Sequence, residues 1–257
     1  MKAIAFSLRV PRRLLHALLC GLLSAAWAGH AKAIVFTMGP LSDTSCQYHT
    51  LQDAVTAARV AAGADSVQIS AGTYTGQCQT TVSVTDSSDL IIEGGYANCG
   101  SGSRTGTSTL EGLGSATGPL ISDGGGGGLT LLHLILQNNG AGGVTAVAAG
   151  PLTLSDVALY SNHSSYGGGL FVSGNSVVRQ SVHLLDVQFN SNTATANGGG
   201  IYATTADIVI DGNAGSYFLS NTAQGQTTGT GDGDGGGSDA RVDAPRPSTA
   251  SSSESAL

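Results

Sequence analysis

A short apolar phrase that ends in asparagine recurs through the second half of the chain. Its copies occupy residues 131–139, 154–162, 184–192 and, in a shorter form, 218–221. The closing asparagines lie 23, 30 and 29 residues apart, and a glycine cluster with an apolar residue follows each of the first three. Short strands and glycine bends at this period are typical of a solenoid, in which each coil packs against its neighbours. The repeat therefore predicts a stack of parallel strands.

The same pattern of short strands and polar bends extends from about residue 65 to residue 222. Dividing that span by a coil of roughly 23–30 residues predicts about six coils. Coils stacked in register about 4.8 Å apart place equivalent residues in columns. The predicted interior columns are Leu131, Leu154 and Leu184, and Leu136, Leu159 and Phe189. Few aromatic residues are present, so we expect a narrow aliphatic core.

The first 33 residues have the pattern of an export signal. Basic residues precede an apolar run from Leu14 to Ala28, and Ala31-Lys32-Ala33 offers a cleavage site. Cleavage after Ala28 is an alternative, as is an uncleaved anchor. The run of about 15 residues is shorter than the roughly 20 that a membrane-spanning helix needs. No later stretch is long and apolar enough, so no membrane span is predicted after cleavage.

Removal of the signal makes the chain strongly acidic. Five of the ten basic residues lie at or before Lys32, whereas all seventeen acidic residues follow it. The mature chain therefore carries five positive and seventeen negative charges, a net charge of −12, and contains no lysine. Affinity for phosphate polymers comes largely from Lys and Arg. The charge therefore argues against nucleic acid and anionic membranes as partners.

Three cysteines remain after the signal: Cys46, Cys78 and Cys99. An exported chain meets an oxidising compartment, so we expect one disulfide among the three, with the pairing open. A metal site is the alternative, but no C-x-x-C spacing supports it. No metal site is predicted.

The two ends of the mature chain differ in pattern. Residues 46–62 carry a helical periodicity, with Tyr48, Leu51, Val55 and Ala58 on one apolar stripe and Gly63 beyond the end. We expect this helix to cap the stack. Residues 223–257 are rich in Gly, Ser and Asp and poor in apolar residues, which predicts a disordered tail. Within it, residues 231–236 are similar to a calcium-binding repeat, but a single copy favours a flexible linker.

Two parts of the chain resemble known families. Residues 48–55 together with residues 69–74 resemble the start of secreted right-handed parallel β-helix proteins of the pectin-lyase-like superfamily, where a capping helix precedes a Gly-Thr-Tyr bend. The repeats are similar to the polymorphic outer membrane protein repeat of bacterial surface proteins, which has a Phe-x-x-Asn motif near Gly-Gly-Ala-Ile. Residues 189–192 and 218–221 match the first motif, and residues 167–170 and 198–201 match the second with substitutions. The resemblance covers about residues 46–222. It implies a right-handed parallel β-helix at a bacterial surface.

Two polar columns accompany the repeats. His133, Asp156 and Asp186 fall at one position of three successive copies. Stacked carboxylates could hold a cation or retain a proton as a general acid. The favoured interpretation is a bend, where short polar side chains tolerate unusual backbone angles. The second column is predicted to be a ladder of stacked amides. Its members are Asn139, Asn162, Asn192 and Asn221.

The sequence offers little support for catalysis. A polysaccharide lyase needs a basic residue beside acidic groups, and a glycoside hydrolase needs neighbouring carboxylates. Between residues 65 and 222 the Lys and Arg side chains are limited to Arg104 and Arg179, and no paired aspartates occur. Arg179 is the best candidate base. No catalytic residue and no cofactor are predicted.

These observations favour an exported, non-catalytic, adhesin-like protein, secreted or on the outer membrane surface of a bacterium. Its expected partner is an extracellular carbohydrate or protein ligand. Residues expected to be exposed on the strands favour binding: Thr130, Thr153, Tyr160, Tyr166 and Tyr202. One alternative is a polysaccharide lyase or glycoside hydrolase on the same scaffold. Another is a truncated fragment of a longer surface protein.

Overall fold

The computed structural model describes residues 33–61, 63–76, 81–211 and 215–225, and the backbone of residues 248–256. The predicted signal peptide, apart from Ala33, lies outside these ranges, as does Cys78. One helix and nineteen strands are present in this part of the chain. They are β1 (Val35–Met38), α1 (Leu51–Val60), β2 (Asp65–Ser70), β3 (Gly72–Thr75), β4 (Val82–Val84), β5 (Leu90–Tyr96), β6 (Ser108–Glu111), β7 (Ile121–Asp123), β8 (Leu129–Gln137), β9 (Val144–Val147), β10 (Leu152–Tyr160), β11 (His163–Tyr166), β12 (Leu170–Ser173), β13 (Gln180–Leu185), β14 (Gln188–Asn190), β15 (Thr193–Asn197), β16 (Ile201–Asp211), β17 (Tyr217–Leu219), β18 (Thr222–Ala223) and β19 (Ser248–Ala256).

Strands pair in parallel with strands one repeat away, which gives a parallel β-solenoid-like fold. The larger sheet runs in the order β1-β2-β5-β8-β10-β13-β16-β12-β9-β7-β4 and curls as a half-barrel. It turns back at β16, whose first residues pair with β12 and whose later residues pair with β13. A branch contains β3, β6, the ends of β8 and β10, β14 and β17, and a separate sheet contains β11, β15 and β18. The strands therefore line several sides of one stack.

The register of the strands confirms the predicted interior columns. Leu131 pairs with Leu154, which pairs with Leu184. In the second column Leu159 pairs with Phe189, whose ring stacks on that of Phe218 at a centroid distance of 4.8 Å. All six side chains are buried. Because successive residues of a strand point to opposite faces, one column of alternate residues fills the core and the next faces outward.

Helix α1 is shorter than the predicted span of residues 46–62. The backbone of Tyr48 is extended and exchanges hydrogen bonds with Thr37 and Gly39, so the chain cannot yet be helical there. Thr50 is the N-cap, and its hydroxyl accepts a hydrogen bond from the Asp53 N–H. The buried face of the helix packs against β1, β2 and β4. It therefore covers the first strands of the stack.

The end of the chain also differs from the prediction of a disordered tail over residues 223–257. Ser248–Ala256 forms a strand, β19, that pairs antiparallel with β16. An edge strand presents a row of unpaired N–H and C=O groups, which any extended backbone can satisfy without an apolar pattern. Residues 226–247 lie outside the described ranges. Within the described ranges, no helix is long and apolar enough to cross a membrane.

Candidate functional site

The asparagine column lies inside the stack. Each amide from Asn162 onward accepts from the backbone N–H of the asparagine one repeat earlier, at 3.0–3.2 Å. The side chains also bond to one another: Asn162 Nδ2 donates to Asn192 Oδ1 at 3.2 Å, and Asn192 Nδ2 donates to Asn221 Oδ1 at 3.0 Å. Asn139 lies at the end of this row, and its Oδ1 has no hydrogen-bond partner among the described residues. Buried amides of this kind hold successive turns in register and are inaccessible to a ligand.

One disulfide joins the start of the chain to the loop after β5. It links Cys46 and Cys99, which are 53 residues apart. Asp43 lies beside it and accepts hydrogen bonds from the Ser45 hydroxyl and the Ser45 N–H, which lower the pKa of its carboxyl below the ordinary value. Within the described ranges, Asp43, Cys46 and Cys99 are the one group of three potential ligands within 4.8 Å of one another. Both sulfurs are bonded to each other, so they are not available to a metal.

The bend column lies at the surface. His133, Asp156 and Asp186 have φ of 52–54°, in the left-handed region. Aspartate tolerates this conformation better than most side chains, so the bend interpretation accounts for the backbone. His133 Nδ1 lies 2.5 Å from Asp156 Oδ2. Asp186 lies against Gly215, where an added Cβ would meet its carboxylate at 2.4 Å. The column therefore holds one His–Asp pair and one separate carboxylate.

These three side chains line a recess of about 150 Å³. Strand residues beyond the bend complete its lining, and Thr107, Tyr160 and Gln188 supply further polar groups. Gln188 Oε1 accepts hydrogen bonds from the hydroxyls of Tyr160 and Tyr217, the second at 2.8 Å. Burial, the larger cause, and the neighbouring Tyr217, the smaller cause, raise the pKa of Tyr160 to about 12. The Tyr160 hydroxyl therefore stays a donor at neutral pH. Sequence reasoning missed Gln188, because no motif marks it.

A second surface feature is an aromatic cluster on the outer face of β11, β12 and β16, made of Tyr166, Phe171 and Tyr202. The rings of Phe171 and Tyr202 stack at 5.9 Å with planes 14° apart. Tyr166 lies 5.1 Å from Tyr202 and is 39% exposed. Phe171 was not among the predicted binding residues. Its outward position follows from the alternation of β12, because Leu170 and Val172 on either side are buried.

The five residues predicted to be exposed on strands do not lie together. Thr130 and Thr153 are neighbours on the outer face of β8 and β10. Tyr160 lies beyond the bend, beside the recess. Of the three tyrosines, the structure brings only Tyr166 and Tyr202 into ring contact. The aromatic cluster is therefore the compact part of the predicted binding surface.

The candidate lyase base, Arg179, does not line the recess at the bend column. Arg179 Nε lies 2.7 Å from Asp207 Oδ1 and is not among the residues that line the recess. Arg104 is likewise paired, with Glu93 at 2.7 Å. Both guanidinium groups are thus neutralised by acidic partners.

Comparison of the chain with protein-family models, with curated proteins and with solved structures finds no match in any of the three.

Proposed function

We propose that this chain is an exported, non-catalytic protein that binds an extracellular carbohydrate on the outside of a parallel β-helix. The scaffold in this proposal is right-handed and has about six coils, and its resemblance to surface proteins with polymorphic outer membrane protein repeats supports a bacterial surface location. Fold does not fix function, so the binding role depends on the site. The aromatic cluster is the observation that carries it.

Three rings on one outer face offer an apolar platform within a polar surface. Aromatic residues bury a large apolar area while losing little rotamer freedom, and a tyrosine adds a hydroxyl that can bond at its rim. Sugar rings present apolar C–H faces between hydroxyls and suit such a platform. Next to Phe171 in the same outward column lies Thr145, which adds a hydroxyl one strand away. A chain of sugar units laid across the strands would meet both groups.

The experiment is retention of the purified exported protein on a panel of insoluble plant and bacterial polysaccharides. We expect retention on at least one polysaccharide without release of reducing or unsaturated ends. Replacing Tyr166 and Tyr202 together by Ala should weaken retention by about tenfold or more, because central aromatic residues dominate binding surfaces. Tyr202→Phe keeps the ring and is the matched control.

If the variant that lacks both tyrosine rings is retained as well as wild type, the ligand binds elsewhere and the proposal is contradicted. Release of new sugar ends would make the protein an enzyme. In that case Arg179→Ala tests the remaining candidate base, and folding of each variant is checked by far-UV circular dichroism.

A further inference from the structure

The recess at the bend is chemically different from the aromatic cluster, and nothing in the proposed carbohydrate platform uses it. The imidazole of His133 and the carboxylates of Asp156 and Asp186 line it. The amide of Gln188 and the hydroxyls of Thr107 and Tyr160 belong to the same lining. The recess therefore combines two carboxylates with neutral hydrogen-bonding groups.

Gln188 is oriented by its neighbours. Its Oε1 accepts from two tyrosine hydroxyls, Tyr160 and Tyr217, which fixes the amide plane and assigns the Nε2 group to the other end. Among the described residues, Nε2 donates to no protein group. A fixed amide whose donors are unused is a preorganised contact for a ligand acceptor, such as a hydroxyl oxygen.

The carboxylates are similarly available. Asp156 uses Oδ2 for His133, and Oδ1 remains. The carboxylate of Asp186 accepts no hydrogen bond within the part of the chain that the structure describes. Ionised carboxylates only accept, so these oxygens call for a ligand with several N–H or O–H donors. The net charge of the mature chain, −12, further favours a cationic group over an anionic one.

A bare metal ion fits less well. An ion with oxygen ligands at about 2.3–2.6 Å holds those ligands within roughly 5 Å of each other. His133, Asp156 and Asp186 do not bring one ligand atom each within 4.8 Å of one another. A primary ammonium group has three N–H donors and can bind through two carboxylates, so it does not need a cluster of three ligands.

We propose that the recess binds a protonated primary amine carried on a polyol, as in an amino sugar. The ammonium donates to Asp156 and Asp186, and a neighbouring hydroxyl of the ligand accepts from Gln188 Nε2. The inference does not depend on the aromatic cluster, since the two sites lie on different faces of the stack.

The experiment is a titration followed by NMR of the His133 ring, with the purified exported protein at a pH where the sugar amine is protonated. The probes are glucosamine, N-acetylglucosamine and glucose. We expect glucosamine to shift the His133 signals and the other two sugars to leave them unchanged. Asp186→Asn should weaken glucosamine binding by about tenfold or more, because the ammonium then faces a neutral amide oxygen and loses a charge-assisted hydrogen bond. Asparagine also tolerates the left-handed backbone of this position.

Asp207→Asn removes the same charge outside the recess and should bind glucosamine as the unaltered protein does. Equal shifts with all three sugars, or with none, would overturn the proposal. Tighter binding of calcium ions alone than of glucosamine would also overturn it, in favour of a metal site. Replacing Tyr166 and Tyr202 should leave the glucosamine titration unchanged, so failure of the polysaccharide experiment and failure of this one are distinguishable.

Discussion

We expect the buried carboxylate of Asp123 to stabilise the folded state less as the pH rises towards neutrality. Asp123 points into the stack from β7, in an inward column with Val84 and Ala146, and is 1% exposed. Its Oδ1 accepts a hydrogen bond from the Gly125 N–H at 3.1 Å, and its Oδ2 has no hydrogen-bond partner in the part of the chain that the structure describes. Burial disfavours the charged form and raises the pKa of Asp123 to about 6. The hydrogen bond from the Gly125 N–H lowers the pKa, but by less.

The size of the effect follows from that pKa. A change from the ordinary value of 3.8 to about 6 corresponds to about 3 kcal/mol, since one pKa unit equals about 1.4 kcal/mol. The folded state binds the proton more tightly than the unfolded state. Its stabilising contribution is therefore complete below the unfolded pKa and is lost as the pH rises through about 6. We expect the free energy of unfolding to fall by about 3 kcal/mol from this group between about pH 3 and pH 7.5.

Urea unfolding at a series of pH values, with wild-type protein and Asp123→Asn, measures this contribution. Comparing the two proteins at each pH cancels the titration of the other groups. The stability of Asp123→Asn relative to wild type should rise by about 3 kcal/mol from about pH 3 to pH 7.5. Asp43→Asn is a control of opposite sign, because hydrogen bonds lower the pKa of Asp43. Parallel pH profiles for wild type and Asp123→Asn would refute the argument.

Three further predictions concern the scaffold. Asn192→Ala removes two side-chain donors and leaves buried partners unpaired, so we expect a loss of about 3 kcal/mol in urea unfolding. Gly168→Ala should lower the free energy of unfolding by about 2 kcal/mol, because the added Cβ would meet backbone oxygens at 2.5 and 2.7 Å. Gly124→Ala is the control: an added Cβ there meets nothing within 4 Å, so this variant should unfold as wild type does. Replacing Cys46 and Cys99 by Ser should lower the free energy of unfolding by roughly 4 kcal/mol, as expected for a loop closed across 53 residues, and a melting temperature equal to that of wild type would contradict this.

The stacking of the strands could be predicted from the sequence because the same residues carry both the period and the register. Leu154 lies one repeat after Leu131 in the sequence and pairs with it in the structure. In a stack, sequence period and spatial neighbour coincide, so a repeated apolar position is also a column. The alternation within one strand then decides which columns face inward.

Features that depend on contacts between residues at non-equivalent positions of the repeat could not be predicted in this way. The choice of Cys99 as the partner of Cys46 depends on how two loops of different repeats meet. The orientation of Gln188 depends on hydroxyls from two other strands. The burial of Asp123 was also missed, because a polar residue in a short strand is indistinguishable by pattern from an outward-facing one. Each of these is a property of the neighbours and not of the local sequence.

Backbone geometry alone does not explain the side chains of the recess, because a second bend with the same left-handed conformation carries different residues. The residues before the four ladder asparagines also have left-handed φ, of 50–58°. Three of them are serine and the fourth is Asn138. The bend of the recess has the same backbone requirement, yet it is occupied by imidazole and carboxylate side chains. If the conformation alone decided the residue, the neutral side chains used at one bend would serve at the other. The difference therefore lies in what the side chains face, which at the recess is a fixed amide and solvent.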